Sequence, residues 1–239
     1  NCNFIITFAE WCKMDSNFNS HSQTNNCRFC GYLADDSNEV ELNTPWLSSR
    51  DYGALVSVGA LVSGWSLVCP TQHKLNLVDD YRLSSFWIFV DNVARILTEQ
   101  YGQISVFEHG AFSDASSTSC GTVHAHLHLV PISFSLVDES IQYDKNLNWQ
   151  HCKVAEIKDI AGQKEYLFVA DRYASQETTG MIHVLDMGVS QFFRKVIANK
   201  LGIPNQYNYR TNPMHESATE AATQLREKTQ SVISSELAA

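Results

Sequence analysis

The stretch Val123-His124-Ala125-His126-Leu127-His128-Leu129-Val130-Pro131 places three histidines at alternate positions, with apolar residues between them. Successive side chains of a β-strand point to opposite faces, so this pattern predicts a strand with His124, His126 and His128 on one side. A single polar residue on a solvated strand face is ordinary. Three histidines in strict alternation, out of nine in the chain, favour instead a site in which imidazoles share one small volume.

Length and composition limit the possible classes of protein. With 239 residues, 44% of them hydrophobic, and no internal repeat or long linker, the chain is predicted to form a single domain over residues 1–239. A net charge of −9 disfavours extended nucleic-acid binding, and no run of apolar residues is long enough for a membrane span. Seven scattered cysteines predict reduced thiols and a cytoplasmic protein.

Hydrophobic patterning predicts an α+β fold, with an antiparallel meander sheet, one long packed helix and a C-terminal extension of strands and helices. The expected core spans residues 27–135, and the extension, packing on it, spans residues 136–239. Core strands are predicted at 53–58, 64–69 and 104–110, besides the histidine strand, and the long helix at 83–101. Ser84 or Ser85 would cap the start of this helix, and Gly102 would end it. Extension strands are predicted at 165–170 and 181–185, helices at 191–201 and 217–235, and a polar loop at 13–26.

Two cysteines, Cys27 and Cys30, lie two residues apart, followed by Gly31, which would allow a sharp turn. Such a pair can bind one metal ion if two imidazoles complete a Cys₂His₂ set. Packing thiols and a thioredoxin-like redox centre are the alternatives, and the polar, turn-like sequence that follows disfavours the redox centre. His73 follows Pro70 by three residues, and taken alone it is typical of a surface loop.

The histidine strand is compatible with two kinds of chemistry. A neutral imidazole is a competent nucleophile at phosphorus and transfers protons near neutral pH, which favours phosphoryl or nucleotidyl transfer. Three histidines could also bind a catalytic zinc ion with an open coordination position, which would activate water for ester hydrolysis. The residues alone leave both possibilities open.

The string from His124 to Val130 matches the signature of the histidine triad (HIT) superfamily of nucleotide hydrolases and transferases. The Cys27-Arg28-Phe29-Cys30 string resembles the N-terminal zinc knuckle of many members, and residues 64–73 resemble their strand that ends in an additional histidine. Glu108-His109-Gly110 resembles a turn of a larger bacterial and phage-type HIT subgroup, and residues 191–210 resemble its tail more weakly. Together the main similarities cover residues 27–135.

The resemblance implies that His126 attacks the α-phosphorus of a nucleotide ester, anhydride or phosphoramidate, forming a nucleotidyl-histidine that water or another acceptor resolves. His128 would hold the phosphate oxygens or orient His126. His124 would either assist the leaving group or ligate a structural zinc, and the second role is preferred because it completes the coordination of the thiol pair. The zinc ligands implied are Cys27, Cys30, His73 and His124.

The implied ligand is a nucleotide or nucleotide-conjugate small molecule, of the dinucleoside polyphosphate or nucleoside phosphoramidate class, and a homodimer is one implied assembly. The candidate substrate-binding residues are Ser119, Thr122, Glu108 and His109. Small members often have Ser or Thr three residues before the first triad histidine, where this chain has Gly121. Two alternatives stay open, namely a metal-dependent phosphoesterase that uses the triad as zinc ligands and a catalytically weak nucleotide-binding protein.

Overall fold

A computed structural model describes residues 27–34, 42–118 and 123–237. The polar loop predicted at 13–26 lies outside these residues. The expected α+β class is confirmed, because helices pack on both faces of an eight-stranded antiparallel sheet. Within the described residues, no helix has the length and hydropathy needed to cross a lipid bilayer.

The strands are β1 (Leu47–Ser48), β2 (Tyr52–Val56), β3 (Ser66–Pro70), β4 (Ile104–Gly110), β5 (Leu127–Pro131), β6 (Gln150–Lys153), β7 (Tyr166–Ala170) and β8 (Thr179–Val184). The α-helices are α1 (Arg28–Ala34), α2 (Ser84–Tyr101), α3 (Leu136–Tyr143), α4 (Ile157–Ala161), α5 (Phe192–Lys200) and α6 (His215–Leu237). Short 3₁₀ turns occur at Asp80–Arg82, Val154–Glu156 and Pro204–Gln206.

The sheet order is β1-β2-β3-β5-β4-β7-β8-β6, and every neighbouring pair is antiparallel. The order departs from a simple meander where β5 lies between β3 and β4. In this register His128 of β5 is opposite Leu67 on one side and Phe107 on the other. Hydrogen-bonded ladders on both sides restrain β5, so the strand is a rigid support for His128.

Two hydrophobic layers cover the sheet. The long helix α2 buries Phe86, Phe89, Val90 and Val93 against one face, at the spacing of three and four that the sequence predicts. On the other face α5 buries Phe193 and neighbouring apolar residues against β4, β5 and β7. The extension thus continues the sheet beyond β4 through β7 and also covers the face that carries His128.

Several details differ from the sequence-based predictions. Residues 28–34 form the helix α1 rather than a sharp turn, because the Gly31 amide donates to the Cys27 carbonyl and Phe29, Cys30 and Leu33 are buried on one side. Strand β5 starts at Leu127, because the Ala125 amide donates to a loop carbonyl instead of a neighbouring strand.

Helix α2 starts after Leu83 without a side-chain cap from Ser84 or Ser85. The predicted end is confirmed: Gly102 has φ of 89°, and its amide donates to Thr98. The short elements β1, β6, α3 and α4 were not predicted.

Candidate functional site

All four predicted metal ligands come together. Cys27 Sγ lies 3.4 Å from His124 Nδ1, and Cys30 Sγ lies 3.4 Å from His73 Nδ1 and 3.6 Å from His124 Nδ1. All four ligand atoms lie within 4.8 Å of one another. A tetrahedral ion with bonds of about 2.0 to 2.3 Å separates its ligands by about 3.3 to 3.8 Å. The four residues therefore fit a tetrahedral metal centre, although the distances alone do not identify the metal.

Three segments of the chain build this cluster. The two thiols lie one helical turn apart at the start of α1, so they face the same side. His73 lies in the loop after β3 and His124 just before β5, and these loops are joined where the Ala125 amide donates to the Lys74 carbonyl at 2.7 Å. The cluster thus connects α1 to both loops.

The orientation of His124 favours metal binding. Its Nε2 lies 2.8 Å from the carbonyl oxygen of Pro70. A carbonyl can only accept, so Nε2 carries the proton and donates it, which leaves the lone pair of Nδ1 facing the thiols. Both nitrogens of His124 therefore have partners other than His126 and His128.

Hydrogen bonds also assign the tautomers of the other two triad histidines. His126 Nδ1 donates to the backbone carbonyl of His124 at 2.7 Å, so the lone pair is on Nε2. The Trp65 indole donates to His128 Nδ1 at 3.0 Å, so a neutral His128 carries its proton on Nε2. The two rings are 4.6 Å apart. A nucleophilic nitrogen and a hydrogen-bond donor thus lie side by side.

Loss of hydration keeps both of these rings neutral. His126 is partly exposed to the cavity, but desolvation by the surrounding protein lowers its pKa to about 4, and the hydrogen bond to the His124 carbonyl only partly offsets this effect. Burial also lowers the pKa of His128 well below its ordinary value, with smaller contributions from His126, His109 and Arg194. Near pH 7 both imidazoles are therefore uncharged, which is the state that a nucleophile at phosphorus requires.

Packing holds the His128 ring in position. Phe107 of β4 stacks on it with ring centroids 4.1 Å apart and planes 19° apart, and Trp65 meets it edge-on at 5.8 Å. Trp65 is fully buried, so its N–H donates to His128 without competition from water. Trp65 therefore determines which nitrogen of His128 can donate.

We expect Trp65→Phe to lower turnover about tenfold, because it removes one buried hydrogen bond and releases the tautomer of His128. Trp87→Phe is the matched control: the Trp87 indole is also buried, and it donates to the Tyr81 carbonyl at 2.8 Å on the opposite face of the sheet. Steady-state kinetics and thermal unfolding of both variants would test this. Equal activity in the two variants would contradict the role given to Trp65.

An open cavity lies over His126 and His128, and its empty space is about 660 Å³ when the part open to solvent is included. Its wall contains two arginines, Arg28 of α1 and Arg194 of α5, and none of the described residues that line it is Asp or Glu. The cavity surface is therefore positively charged although the whole chain carries −9, which suits an anionic ligand.

Arg194 is held rigidly although it is charged and 4% exposed. Its Nε donates to the Tyr207 carbonyl at 2.7 Å, a terminal nitrogen donates to the Gly59 carbonyl, and the guanidinium lies 5.0 Å from the Trp65 ring. The Tyr209 ring centroid lies 5.8 Å from this guanidinium and 5.3 Å from that of Arg28. The extension thus contributes fixed positive charge and an aromatic ring to the cavity.

The predicted substrate-binding residues are separated in the structure. His109 lines the cavity, whereas Glu108, its neighbour on β4, points to the opposite face, as strand alternation requires. Glu108 accepts hydrogen bonds from Tyr81 and Tyr166, both at 2.6 Å, and from the Leu77 amide at 2.9 Å. It therefore lies outside the cavity and anchors the loop that carries His73. Ser119, Thr122 and Gly121 lie outside the described residues.

Glu108 should make the stability of the protein depend on pH. Burial raises the pKa of Glu108 from 4.5 to about 7. Its hydrogen bonds oppose this shift, and the nearby Asp80, which is paired with Lys74, adds to it. Because the folded-state pKa is raised, the stabilisation from this carboxyl is complete below about pH 4.5 and is lost as the pH rises through about 7, to the extent of about 3 kcal/mol.

Chemical denaturation of the wild type and Glu108→Gln between pH 5 and 8 would measure this effect. We expect the wild type to lose stability relative to the variant as the pH rises, because the amide does not ionise. A constant difference between the two proteins over this range would show that Glu108 is already ionised in the folded protein, as it is in the unfolded chain.

The residues that the sequence did not identify are Arg28, Trp65, Arg194 and Tyr209. Arg194 carried one signal, because it lies among the apolar residues Phe192, Phe193, Val196 and Ile197 of a helix that buries them. A charged side chain in such a position is rarely fully buried without a specific role. Trp65 and Tyr209 had no comparable signal.

Comparisons with known proteins find similarity to solved structures, one of which is named below. No protein-family model and no curated protein matches the chain. A Hit-like protein involved in cell-cycle regulation from Bartonella henselae, with an unknown ligand in its crystal structure, is 22% identical, with a TM-score of 0.35. The similarity covers 46% of this chain and 81% of that protein. A likeness of this degree carries no information about activity, which has to be inferred from the side chains of this chain.

Proposed function

We propose that this protein is a HIT-type nucleotidyl hydrolase or transferase that acts at an α-phosphate through a covalent intermediate on His126. The observation that carries the proposal is the pair of fixed tautomers, with the lone pair of His126 Nε2 beside the N–H of His128 in a positively charged cavity. The motif from His124 to Val130 supports the same chemistry.

In the first step His126 Nε2 forms a bond to the α-phosphorus, and the bond from phosphorus to the leaving group breaks with its electron pair. The His128 N–H stabilises the charge on the non-bridging oxygens, and Arg28 and Arg194 add fixed positive charge. In the second step water or another acceptor attacks phosphorus, the bond to His126 breaks, and the imidazole is regenerated. Dinucleoside polyphosphates and nucleoside phosphoramidates both contain a leaving group of the required kind.

The tetrahedral cluster is proposed to bind a structural zinc ion through Cys27, Cys30, His73 and His124. Two thiolates and two imidazoles form a set that zinc commonly occupies, and four protein ligands leave no open position for water. A zinc ion there would fix α1 and the two loops around His126. One nitrogen of His124 contacts the Pro70 carbonyl and the other faces the thiols, so neither is available to a metal ion shared with His126 and His128. This arrangement disfavours a metal-dependent phosphoesterase that uses all three triad histidines.

Hydrolysis of diadenosine tetraphosphate in ¹⁸O-labelled water tests the site of attack. Attack at the α-phosphorus places the label on adenosine monophosphate (AMP) and leaves the adenosine triphosphate unlabelled, and mass spectrometry of the products distinguishes them. Label on the triphosphate would contradict the proposal. If the protein binds AMP but neither hydrolyses diadenosine tetraphosphate or an adenosine phosphoramidate nor transfers the adenylyl group to another acceptor, it would be a catalytically weak nucleotide-binding protein instead.

A further inference from the structure

The start of helix α1 belongs to two sites at once. Cys27 and Cys30 are members of the metal cluster. Arg28 and Phe29, which lie between them in sequence, line the cavity. The Phe29 ring meets the His126 ring edge-on, with centroids 5.6 Å apart. The metal cluster and the cavity therefore share one wall, and four consecutive residues form it.

Contacts with the rest of the protein hold α1 in place, because a helix of seven residues is too short to be stable alone. At its far end Leu33 packs closely on β2, where a Cβ added to Gly53 would lie 2.4 Å from Leu33 Cδ2. At its near end the contacts include the buried Phe29 ring and the cluster formed with His73 and His124. A metal ion in the cluster would therefore fix the end of α1 that carries the cavity residues.

The other cluster residues have anchors that do not need an ion. The loop that carries His73 is joined to the segment before β5 by the hydrogen bond from the Ala125 amide to the Lys74 carbonyl. His124 also lies 2.8 Å from the Pro70 carbonyl through Nε2. Of the three segments that build the cluster, α1 thus depends most on the metal.

We propose that a metal ion in the cluster and a nucleotide in the cavity bind cooperatively, and that α1 couples the two sites. This inference rests on the proposed function, because it takes the four residues as a metal site and places the phosphate over His126. Arg28 determines the sign of the coupling: with α1 in place, its positive charge lines the cavity, so the state that binds the metal also binds an anion better.

The metal-free protein should bind an anion more weakly for a simple reason. Thiols form only weak hydrogen bonds with imidazoles, whereas an ion would join the same groups by four coordination bonds. Without the ion, a smaller fraction of molecules has α1 in the ligand-binding position. The apparent Kd of the ligand increases by the inverse of that fraction, and we expect a change of about tenfold.

Thermodynamic linkage makes the prediction reciprocal. If the ion lowers the Kd for AMP about tenfold, AMP must lower the Kd for the ion by the same factor. Co²⁺ is a suitable probe, because it binds such sites more weakly than Zn²⁺ and absorbs visible light when thiolates ligate it. Calorimetric titration with AMP of the metal-free and the Co²⁺-loaded protein measures the first factor. Absorbance titration with Co²⁺, with and without saturating AMP, measures the second, and a titration without protein corrects for direct binding of Co²⁺ to AMP.

Two cavity arginines provide a matched pair of variants. Arg28→Gln removes the charge that α1 brings to the cavity, so the effect of Co²⁺ on AMP affinity should fall to about threefold or less. Arg194→Gln removes a charge supplied by α5, which contributes no residue to the cluster. It should weaken AMP binding equally in the metal-free and the loaded protein and leave the factor near ten. Near-ultraviolet circular dichroism checks that each protein is folded.

Several results would overturn the proposal. These are an AMP affinity that is the same with and without Co²⁺, two factors that differ in the wild type, equal factors in the two variants, or a wild type that binds no AMP. Global unfolding of the metal-free wild type would also overturn it, because the metal would then support the whole fold rather than the position of α1.

The coupling and the catalytic function can fail separately. Cooperative binding of Co²⁺ and AMP by a protein that forms no product labelled at the α-phosphorus would retain the coupling and remove the catalytic function. Turnover that depends on His126, in a protein whose AMP affinity does not depend on the metal, would retain the function and remove the coupling.

Discussion

Replacing His126 by alanine is expected to lower turnover of diadenosine tetraphosphate by about 10³-fold or more, because no other side chain among the described residues offers a lone pair in the same position. His128 carries its proton on the nitrogen available to a ligand, and His124 has both nitrogens engaged. Stability should change little, since His126 is only partly buried and its polar contact within the fold is one hydrogen bond to a backbone carbonyl. Single-turnover kinetics and thermal unfolding measure the two quantities.

His183→Ala is the matched control for this experiment. His183 lies on β8, is also partly buried, and its Nδ1 donates to the Asn148 carbonyl at 3.0 Å, much as His126 Nδ1 donates to His124. It does not line the cavity, so its loss should leave turnover unchanged. Full activity of His126→Ala would remove the covalent mechanism, and equal losses in both variants would indicate a general effect on the fold.

The second large effect is expected at the metal cluster. Cys30→Ser should abolish stoichiometric zinc binding, because Cys30 is only 4% exposed and its Sγ lies against both His73 and His124. A structural metal contributes its binding free energy to folding, so the loss should be at least about 3 kcal/mol, or about 6 to 12 °C in Tm. Elemental analysis and calorimetric unfolding would measure metal content and stability.

Cys152→Ser provides the control for a buried thiol outside the cluster. Cys152 is 1% exposed on β6 and is free, so the substitution places a hydroxyl in an apolar site without removing a metal ligand. It should retain one zinc ion per chain. If Cys30→Ser retained its zinc and its stability, the cluster would not be a structural centre. If it lost activity but no stability, the metal would be catalytic rather than structural.

Local periodicity was sufficient to predict most of the elements that support the site. The buried positions of α2 recur at the helical spacing, and the apolar run of β4 starts and ends close to the observed residues. The thiol pair Cys27 and Cys30 indicated a possible metal site by its spacing, whereas His73 and His124 were implied as its partners by the resemblance to histidine triad proteins. The helix and strand patterns are local in sequence, so a short window contains their signal.

Other features depend on contacts between distant parts of the chain. No local pattern indicates that α1 is helical, since Gly31 favours a turn and the burial of Phe29 and Leu33 depends on the rest of the fold. The first two triad histidines precede β5 because Ala125 pairs with a loop rather than a strand. Alternation along β4 separates Glu108 from His109, but the tyrosine partners of Glu108 come from elements 27 and 58 residues away.

The place of Arg194 in the cavity also could not be predicted from the sequence. Arg194 reaches the cavity from an extension more than 60 residues after His128, and its partners are backbone carbonyls that no side-chain pattern reveals. The positive charge of the cavity is likewise hidden by the net charge of −9. Charge at a site depends on which residues the fold brings together, whereas composition reports only the sum.

The most direct test of the account is the intact mass of the protein after brief reaction with diadenosine tetraphosphate, quenched at alkaline pH. The wild type is expected to gain the mass of one adenylyl group, and peptide mapping should locate it on His126 within residues 123–131. His126→Ala should gain none. Turnover by the wild type with an adduct on another residue, or with no adduct under conditions that trap the intermediate, would contradict nucleotidyl transfer through His126.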